Sequence, residues 1–451
     1  MLTQSFNGPR GRSRGRILDV SNKLLGQSLA RARWRLLPFL LLMYVVSVLD
    51  RANIGFAKQV LHDSRGISDA AYAMGAGLFF LTYALFEIPS NLIMHRVGAR
   101  LWLSRIMVTW GLISAATMFV TGDVSFYCLR LLLGAAEAGF FPGVILYLTY
   151  WFPNKNRGQI LGLFYFGAPL SFIFGSPLSG LLMDMRPRFG LQGWQWMFLI
   201  EGLLAVAVGA ISFWYLDDRP ASARWMPEFE KRELLTALSL EESERKAHGP
   251  SSLLRSLKDS RVLYFSLIYF LIQAGVYGVI FYLPAEVASI LGKKVGLQVG
   301  LVSSIPWMCA IVVTYWLSRF ADRYRNYCLL ASLGLVASGC AILIVPVSGP
   351  AIALFALCVA ASSYIAIQPL FWTFPTGYLS GAGAAAAIAM INAFGNLGGF
   401  VVPNVKVWAE IHFGSPFAGA VALAGITFLG AVLVALMRSK KASSKMQVVS
   451  N

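Results

Sequence analysis

Four ionisable residues lie where ionisable residues are expensive. Asp50 and Arg51 fall in an apolar run at about 36–57, and Arg130 and Glu137 in another at about 124–150. A charge at the centre of a membrane-spanning helix costs about 2.5–3.5 kcal/mol on insertion scales, so such groups face a partner or a cavity rather than lipid. Arg130 and Glu137 are seven residues apart, which puts them on one helix face with a rise of about 10 Å between them. An arginine stays charged and presents a planar fork that matches a carboxylate. A carboxylate in a partly dehydrated cavity gains proton affinity, and a neighbouring arginine takes that affinity away again. Two acids and two arginines on one cavity are thus the minimum parts for exchanging a proton against a bound anion. The same four residues could instead brace one helix against another as static ion pairs.

Weaker polar signals sit in the second half of the chain. Gln273 and Tyr277, Gln368 and Trp372, and Asn392 and Asn396 are each four residues apart, so each pair shares a helix face. They suit substrate hydroxyls, and they suit helix–helix hydrogen bonding equally well. Glu87 and Glu201 read as structural partners near helix ends. Gly162, Gly167, Gly175 and Gly180 with Pro169 and Pro177 crowd one apolar run, and Gly395, Gly398 and Gly399 crowd another. Small residues permit close helix approach and prolines permit bending, which serves a rocking interface or static packing alike.

These residues need an element to hold them in the membrane, and the composition supplies it. Of the 451 residues 57% are hydrophobic and 13% charged, about half the charged share of a soluble protein. A span needs roughly 20 apolar residues. Twelve such segments are expected, at about 36–57, 71–93, 101–121, 124–150, 158–183 and 195–216, then 262–284, 296–319, 327–346, 350–372, 381–404 and 416–437. The expected fold is therefore all-α and integral to the membrane, with twelve helices in two pseudo-symmetric six-helix bundles over 36–216 and 262–437. A polar linker at 217–261, a basic arm at 1–35 and a tail at 438–451 complete the chain.

The net charge of +17 does not signal nucleic acid. Lys and Arg collect in the arm, in alternate loops and in the tail, the positive-inside pattern that puts both termini in the cytoplasm. The loops His95-Arg96-Val97-Gly98-Ala99-Arg100 and Ala321-Asp322-Arg323-Tyr324-Arg325 recur at an offset of about 226, which also places Pro177 on Pro403. Parallel halves related in this way imply a binding site between them near the midplane. The five cysteines and four histidines match no disulfide framework or metal site, so no cofactor or metal is expected. No cleavable leader is expected. No nucleophile–base pair or phosphate-binding glycine loop supports an enzyme.

Longer stretches carry a resemblance. Leu49-Asp50-Arg51-Ala52-Asn53-Ile54-Gly55-Phe56-Ala57, the run from Arg130 through Glu137 to Pro142, and Trp194-Gln195-Trp196-Met197-Phe198-Leu199-Ile200-Glu201-Gly202 resemble the first, fourth and sixth helices of the anion:cation symporter family of the major facilitator superfamily. Within it the chain is similar to bacterial sugar-acid and hydroxy-acid carriers of the rhamnonate and tartrate type. The resemblance implies proton symport of a small organic anion in a bacterial inner membrane, by a monomer. It implies Asp50 and Glu137 as proton carriers, Arg51 and Arg130 as their electrostatic partners and anion ligands, and Asn392 as a substrate contact. Gln273, Tyr277, Gln368 and Trp372 would meet the rest of the substrate. His95, Arg96, Gly98, Arg100, Asp322 and Arg323 would form the gating loops. His95 stands where the superfamily's loop carries Asp, and Ala168 where galactonate-type carriers have glutamine, so the substrate need not be theirs. Uncoupled exchange or export, import of an aromatic acid such as phthalate, and a membrane nutrient sensor remain open alternatives.

Overall fold

The computed structural model describes residues 9–247, 259–324, 326–378 and 382–449. Asp322, the arm up to residue 22, the linker from 242 to 258 and the tail from 438 lie outside the residues whose side chains are described. Among the described residues the chain is helical, with one isolated bridge between Arg188 and Leu191 in a turn.

The first half comprises α1 (Pro9–Arg65), α2 (Asp69–Val97), α3 (Ala99–Ala116), α4 (Asp123–Glu137), α5 (Phe140–Trp151), α6 (Asn154–Tyr165), α7 (Gly167–Met183) and α8 (Gly193–Tyr215). After α9 (Glu228–Ala247) the second half follows, with α10 (Ser260–Leu291), α11 (Leu297–Tyr324), α12 (Tyr327–Ile344), α13 (Pro350–Tyr378), α14 (Ala382–Asn396), α15 (Gly398–Phe413) and α16 (Pro416–Val449). Eleven segments among the described residues are long and apolar enough to cross a membrane. The pair α14–α15, two helices of 15 and 16 residues that meet at Leu397, makes up the twelfth pass.

Three passes are broken by their own residues. After Glu137 the backbone leaves the helix at Ala138 and turns through Gly139, at φ +86°. Pro142 has no N–H for the carbonyl four residues before it, so the break falls where glycine and proline together allow it. The α6–α7 junction at Phe166 precedes Pro169, and the α14–α15 junction at Leu397 precedes Gly398 and Gly399. Small residues also set helix spacing. A Cβ added at Gly111 on α3 would stand 2.6 Å from the Gly202 carbonyl on α8, so these helices pack backbone to backbone.

Packing divides α2 along its length. Leu81, Leu85, Ile88 and Leu92 are exposed and form one face, the side that meets lipid. Phe79, Tyr83, Glu87, Ser90 and Met94 are buried on the opposite face. Glu87 is thus part of the inner stripe, near the middle of a pass, and not a partner at a helix end.

The halves meet most closely at the end away from the chain termini. Asp184, closing α7, accepts a 2.7 Å hydrogen bond from the backbone N–H of Leu297 at the start of α11. Phe172 stacks on Trp307 at 4.0 Å, and Asn404 on α15 donates to the Ala73 carbonyl on α2 at 3.4 Å. Lys58 on α1 and Lys406 on α15 both lie over the Tyr282 ring, at 5.1 and 4.1 Å. A Cβ at Gly300 would stand 2.2 Å from the Ser176 carbonyl across this seam. Gly300→Val is accordingly expected to wedge the seam open. Asn404→Cys placed in that background should react with a membrane-impermeant maleimide several-fold faster than in the otherwise native chain, with labelling of the five native cysteines as baseline. An unchanged rate would mean that the halves absorb the side chain without separating.

Candidate functional site

Glu137 closes α4 immediately before the break and is fully buried. Its Oε1 accepts 2.7 Å and 2.8 Å hydrogen bonds from Ser47 Oγ and Arg51 Nε, and Arg51 Nη2 lies 2.8 Å from the same oxygen. Glu137 Oε2 is buried with no hydrogen-bond partner among the described residues. The bond that joins α1 to the fourth pass is therefore a charged pair using one carboxylate oxygen, with the other left over.

Arg51 is held further by rings. Its guanidinium lies 4.7 Å from the centroid of Tyr83 and 5.4 Å from that of Phe79. The hydroxyls of Tyr83 and Tyr277 both face it. Tyr277 on α10 in turn donates a 3.2 Å hydrogen bond to Asn396 Oδ1 on α14. A continuous polar chain thus runs from Glu137 through Arg51 to Tyr277 and Asn396, out of the first half and into the second.

Arg130 sits two helical turns before Glu137 and is only 2% exposed. It shares the Phe79 ring with Arg51, at 5.0 Å from the centroid against 5.4 Å for Arg51. Its Nε donates at 3.4 Å to the Gly75 carbonyl, and among the described residues no carboxylate lies within 4 Å of it. It is a buried guanidinium with its charge uncompensated by contact. Glycine at 134 makes this possible, because a Cβ there would stand 2.1 Å from the Phe79 carbonyl and drive α4 off α2.

Asp50, though adjacent to Arg51 in sequence, points elsewhere. Successive helical residues are about 100° apart, and Asp50 is turned to α3, where Ser114 donates to its Oδ1. Asn53 donates to the same oxygen at 3.4 Å, and Oδ2 is buried without a partner among the described residues. The two acids thus occupy separate environments, one neutralised by an arginine and the other hydrogen-bonded by neutral groups. Glu201 joins the second environment from α8, 1% exposed and bonded at 2.7 Å by Ser179.

Of the polar pairs in the second half, Gln273 and Tyr277 are both buried on α10, and the Gln273 amide oxygen has no partner among the described residues. Asn392 reaches across the halves and donates to Glu87 Oε1 at 3.3 Å. Trp372 packs edge-on against Tyr269 at 5.0 Å within its own half, with Gln368 half-buried one turn earlier on α13. The structure therefore links Glu137, Arg51 and Tyr277 across the seam, brings Asn392 to it, keeps Arg130 against α2 inside the first half and leaves Trp372 within the second.

The loop residues of the first half gather at its end after α2 and α8. Gly98 adopts φ +102° between α2 and α3, and a Cβ there would meet Asp218 Oδ1 at 2.6 Å. That oxygen accepts a 2.9 Å hydrogen bond from the Arg100 backbone N–H. Asp218, just after α8, thus supplies an acid to the loop in which His95 and Arg96 are exposed. Sequence reading passed over Asp218 because only the fold returns the end of α8 to this loop. Arg323 is exposed over Tyr324, at 5.9 Å.

Apolar passes in two halves, with buried acids among them and an Arg51–Tyr277 contact between the halves, are the layout of a membrane transporter. The chain belongs to the Major Facilitator Superfamily, whose profile matches residues 40–403. The inner membrane transport protein RhmT of Escherichia coli is 44% identical over 95% of this chain and 99% of its own length. A protein of Agrobacterium vitis named as a tartrate transporter is 41% identical over 93% of each chain. The crystal structure of a D-xylose–proton symporter superposes with a TM-score of 0.68 at 16% identity, covering 89% of this chain and 97% of that one, which shows a shared fold.

Proposed function

We propose that this protein imports a small organic anion, a sugar acid or hydroxy-dicarboxylate, by proton symport with alternating access across a bacterial inner membrane, both termini lying in the cytoplasm. The observation that carries the reading is the contrast between the two arginines. Arg51 is paired with Glu137, whereas Arg130 is buried with no carboxylate in contact among the described residues. A buried charge without a partner is costly, and an anionic substrate is the partner that would relieve it. The name of the Agrobacterium vitis relative, a tartrate transporter, favours a hydroxylated acid.

Coupling follows from electrostatics. A proton on Glu137 neutralises the carboxylate and frees Arg51 to share the incoming anion with Arg130. Loss of the proton restores the Arg51–Glu137 pair and weakens the hold on the anion. Because Arg51 also faces Tyr277 on α10, each change of partner alters contacts between the halves. Asp50 would titrate as the second carrier, isolated from Arg51. Gln273, Asn392 and Gln368 would meet hydroxyls, and Trp372 would close the side of the pocket.

Uptake of labelled acids into proteoliposomes tests the reading, with a panel of rhamnonate, tartrate, other sugar acids and phthalate. An inward proton gradient should drive accumulation of at least one hydroxylated acid. Accumulation indifferent to the gradient would replace symport with exchange or export. Preference for phthalate would move the substrate to aromatic acids. Binding without flux would make the protein a sensor.

A further inference from the structure

Glu87 takes no part in the cycle outlined above, yet its setting is that of a working carboxylate. It lies mid-pass on the buried stripe of α2 and is 3% exposed. Its one side-chain hydrogen bond crosses from the first half to the second, a long 3.3 Å contact from Asn392 on α14 to Oε1. Oε2 is buried without a hydrogen-bond partner among the described residues, and no cation lies within 4 Å. Around it stand Tyr83 on its own helix, Arg51 on α1 and Tyr277 on α10, with Glu137 reached only through Arg51.

A carboxylate anion so placed would hold its charge away from water on one weak amide bond, which is unfavourable by several kcal/mol. A static brace between helices would be better built from a neutral amide. The bond also joins two bodies that separate in alternating access, so Glu87 must change its surroundings in every cycle.

We propose that Glu87 is a third proton-binding carboxylate on the transport path, loaded while Asn392 holds it at the seam and unloaded when the halves part. Arg51 is the group that receives the change. With Glu87 ionised, Arg51 has two carboxylates competing for it, Glu137 in the first half and Glu87 at the seam. With Glu87 neutral, Arg51 stays on Glu137 and Asn392 bridges the halves. The proton moves from water to Glu87 Oε2 and returns to water on the other side, so no other reactant is involved. The consequence is one proton more per anion than Glu137 and Asp50 alone carry.

This rests on the symport reading, and the experiment separates the two. In proteoliposomes with the membrane voltage clamped at zero, the anion gradient that just stops net flux is measured at several imposed proton gradients. The slope gives the protons moved per anion. In Glu87→Gln the slope should fall by one proton, which lowers the accumulation limit about tenfold per pH unit of gradient, while anion counterflow continues. A wild-type slope of zero would sink the symport reading itself. A wild-type slope above zero that Glu87→Gln leaves unchanged would overturn the Glu87 assignment alone. Should Glu87→Gln lose counterflow too, pH-difference infrared spectra of the purified, monodisperse protein decide. A protonated-carboxyl band lost in the variant supports the assignment, and an identical band pattern rejects it.

Discussion

Glu137→Gln should remove one coupled proton, lowering the accumulation limit about tenfold per pH unit of gradient, while leaving anion counterflow in place. Glutamine keeps the shape of the carboxyl group and can still accept from Ser47 and Arg51, which bond Oε1 at 2.7 and 2.8 Å. It cannot take up or release a proton. The variant is thus fixed near the protonated state, in which the Arg51 pair is already loosened. Under an inward gradient of two pH units, each coupled proton supports a limit of roughly a hundredfold accumulation. The variant should lose one such factor. Arg51 would not be stranded, because Tyr83, Tyr277 and the two aromatic rings remain around it. Folding yield should therefore stay close to native. Native accumulation by the variant would remove Glu137 from coupling and leave its contact with Arg51 as a brace.

The second large effect is expected at Arg130. Truncating one member of a buried charge pair costs about 2–5 kcal/mol or more, so Arg130→Ala should weaken anion binding on the order of a hundredfold or beyond. Arg130→Lys restores the charge but not the planar fork, and should recover only part of the loss. Equilibrium binding of the best substrate to purified protein measures both. Because Arg130 makes one long 3.4 Å hydrogen bond to Gly75 and no contact ion pair among the described residues, its removal should not itself unfold the bundle. If the Kd were unchanged in Arg130→Ala, the anion would have to be held elsewhere, with the half-buried Arg51 the other arginine of the site.

Both predictions began as residues visible in the chain. An ionisable group inside an apolar run stands out because the bilayer penalises it, and that penalty depends on local sequence alone. Arg130 and Glu137 were legible for this reason, and their spacing of seven set them on one face of one helix. The buried Glu87 is equally visible as a residue, but hydropathy reads it as a structural partner near a helix end. What places it inside is the α2 stripe of Phe79, Tyr83, Glu87, Ser90 and Met94, opposite Leu81, Leu85, Ile88 and Leu92. Both faces are apolar, so hydropathy alone cannot distinguish lipid from protein interior. The spacing of four, four, three and four residues along Phe79, Tyr83, Glu87, Ser90 and Met94 was the signal available.

The sequence by itself determined the number and length of the passes, the family and the identities of the buried charges. The passes and the buried charges follow from the cost of exposing polar groups to hydrocarbon, which acts residue by residue, and the family follows from motifs such as Leu49–Ala57 that recur in its members. Only the tertiary structure decided the partners. It turned Asp50 to Ser114 and Arg51 to Glu137, though the two are neighbours in the chain. It brought Asn392 across 305 residues to Glu87 and left Arg130 without an acid in contact. Those choices depend on how twelve helices rotate and cross, and helix rotation is fixed by long-range packing at glycines such as Gly134 and Gly300, which no local pattern encodes.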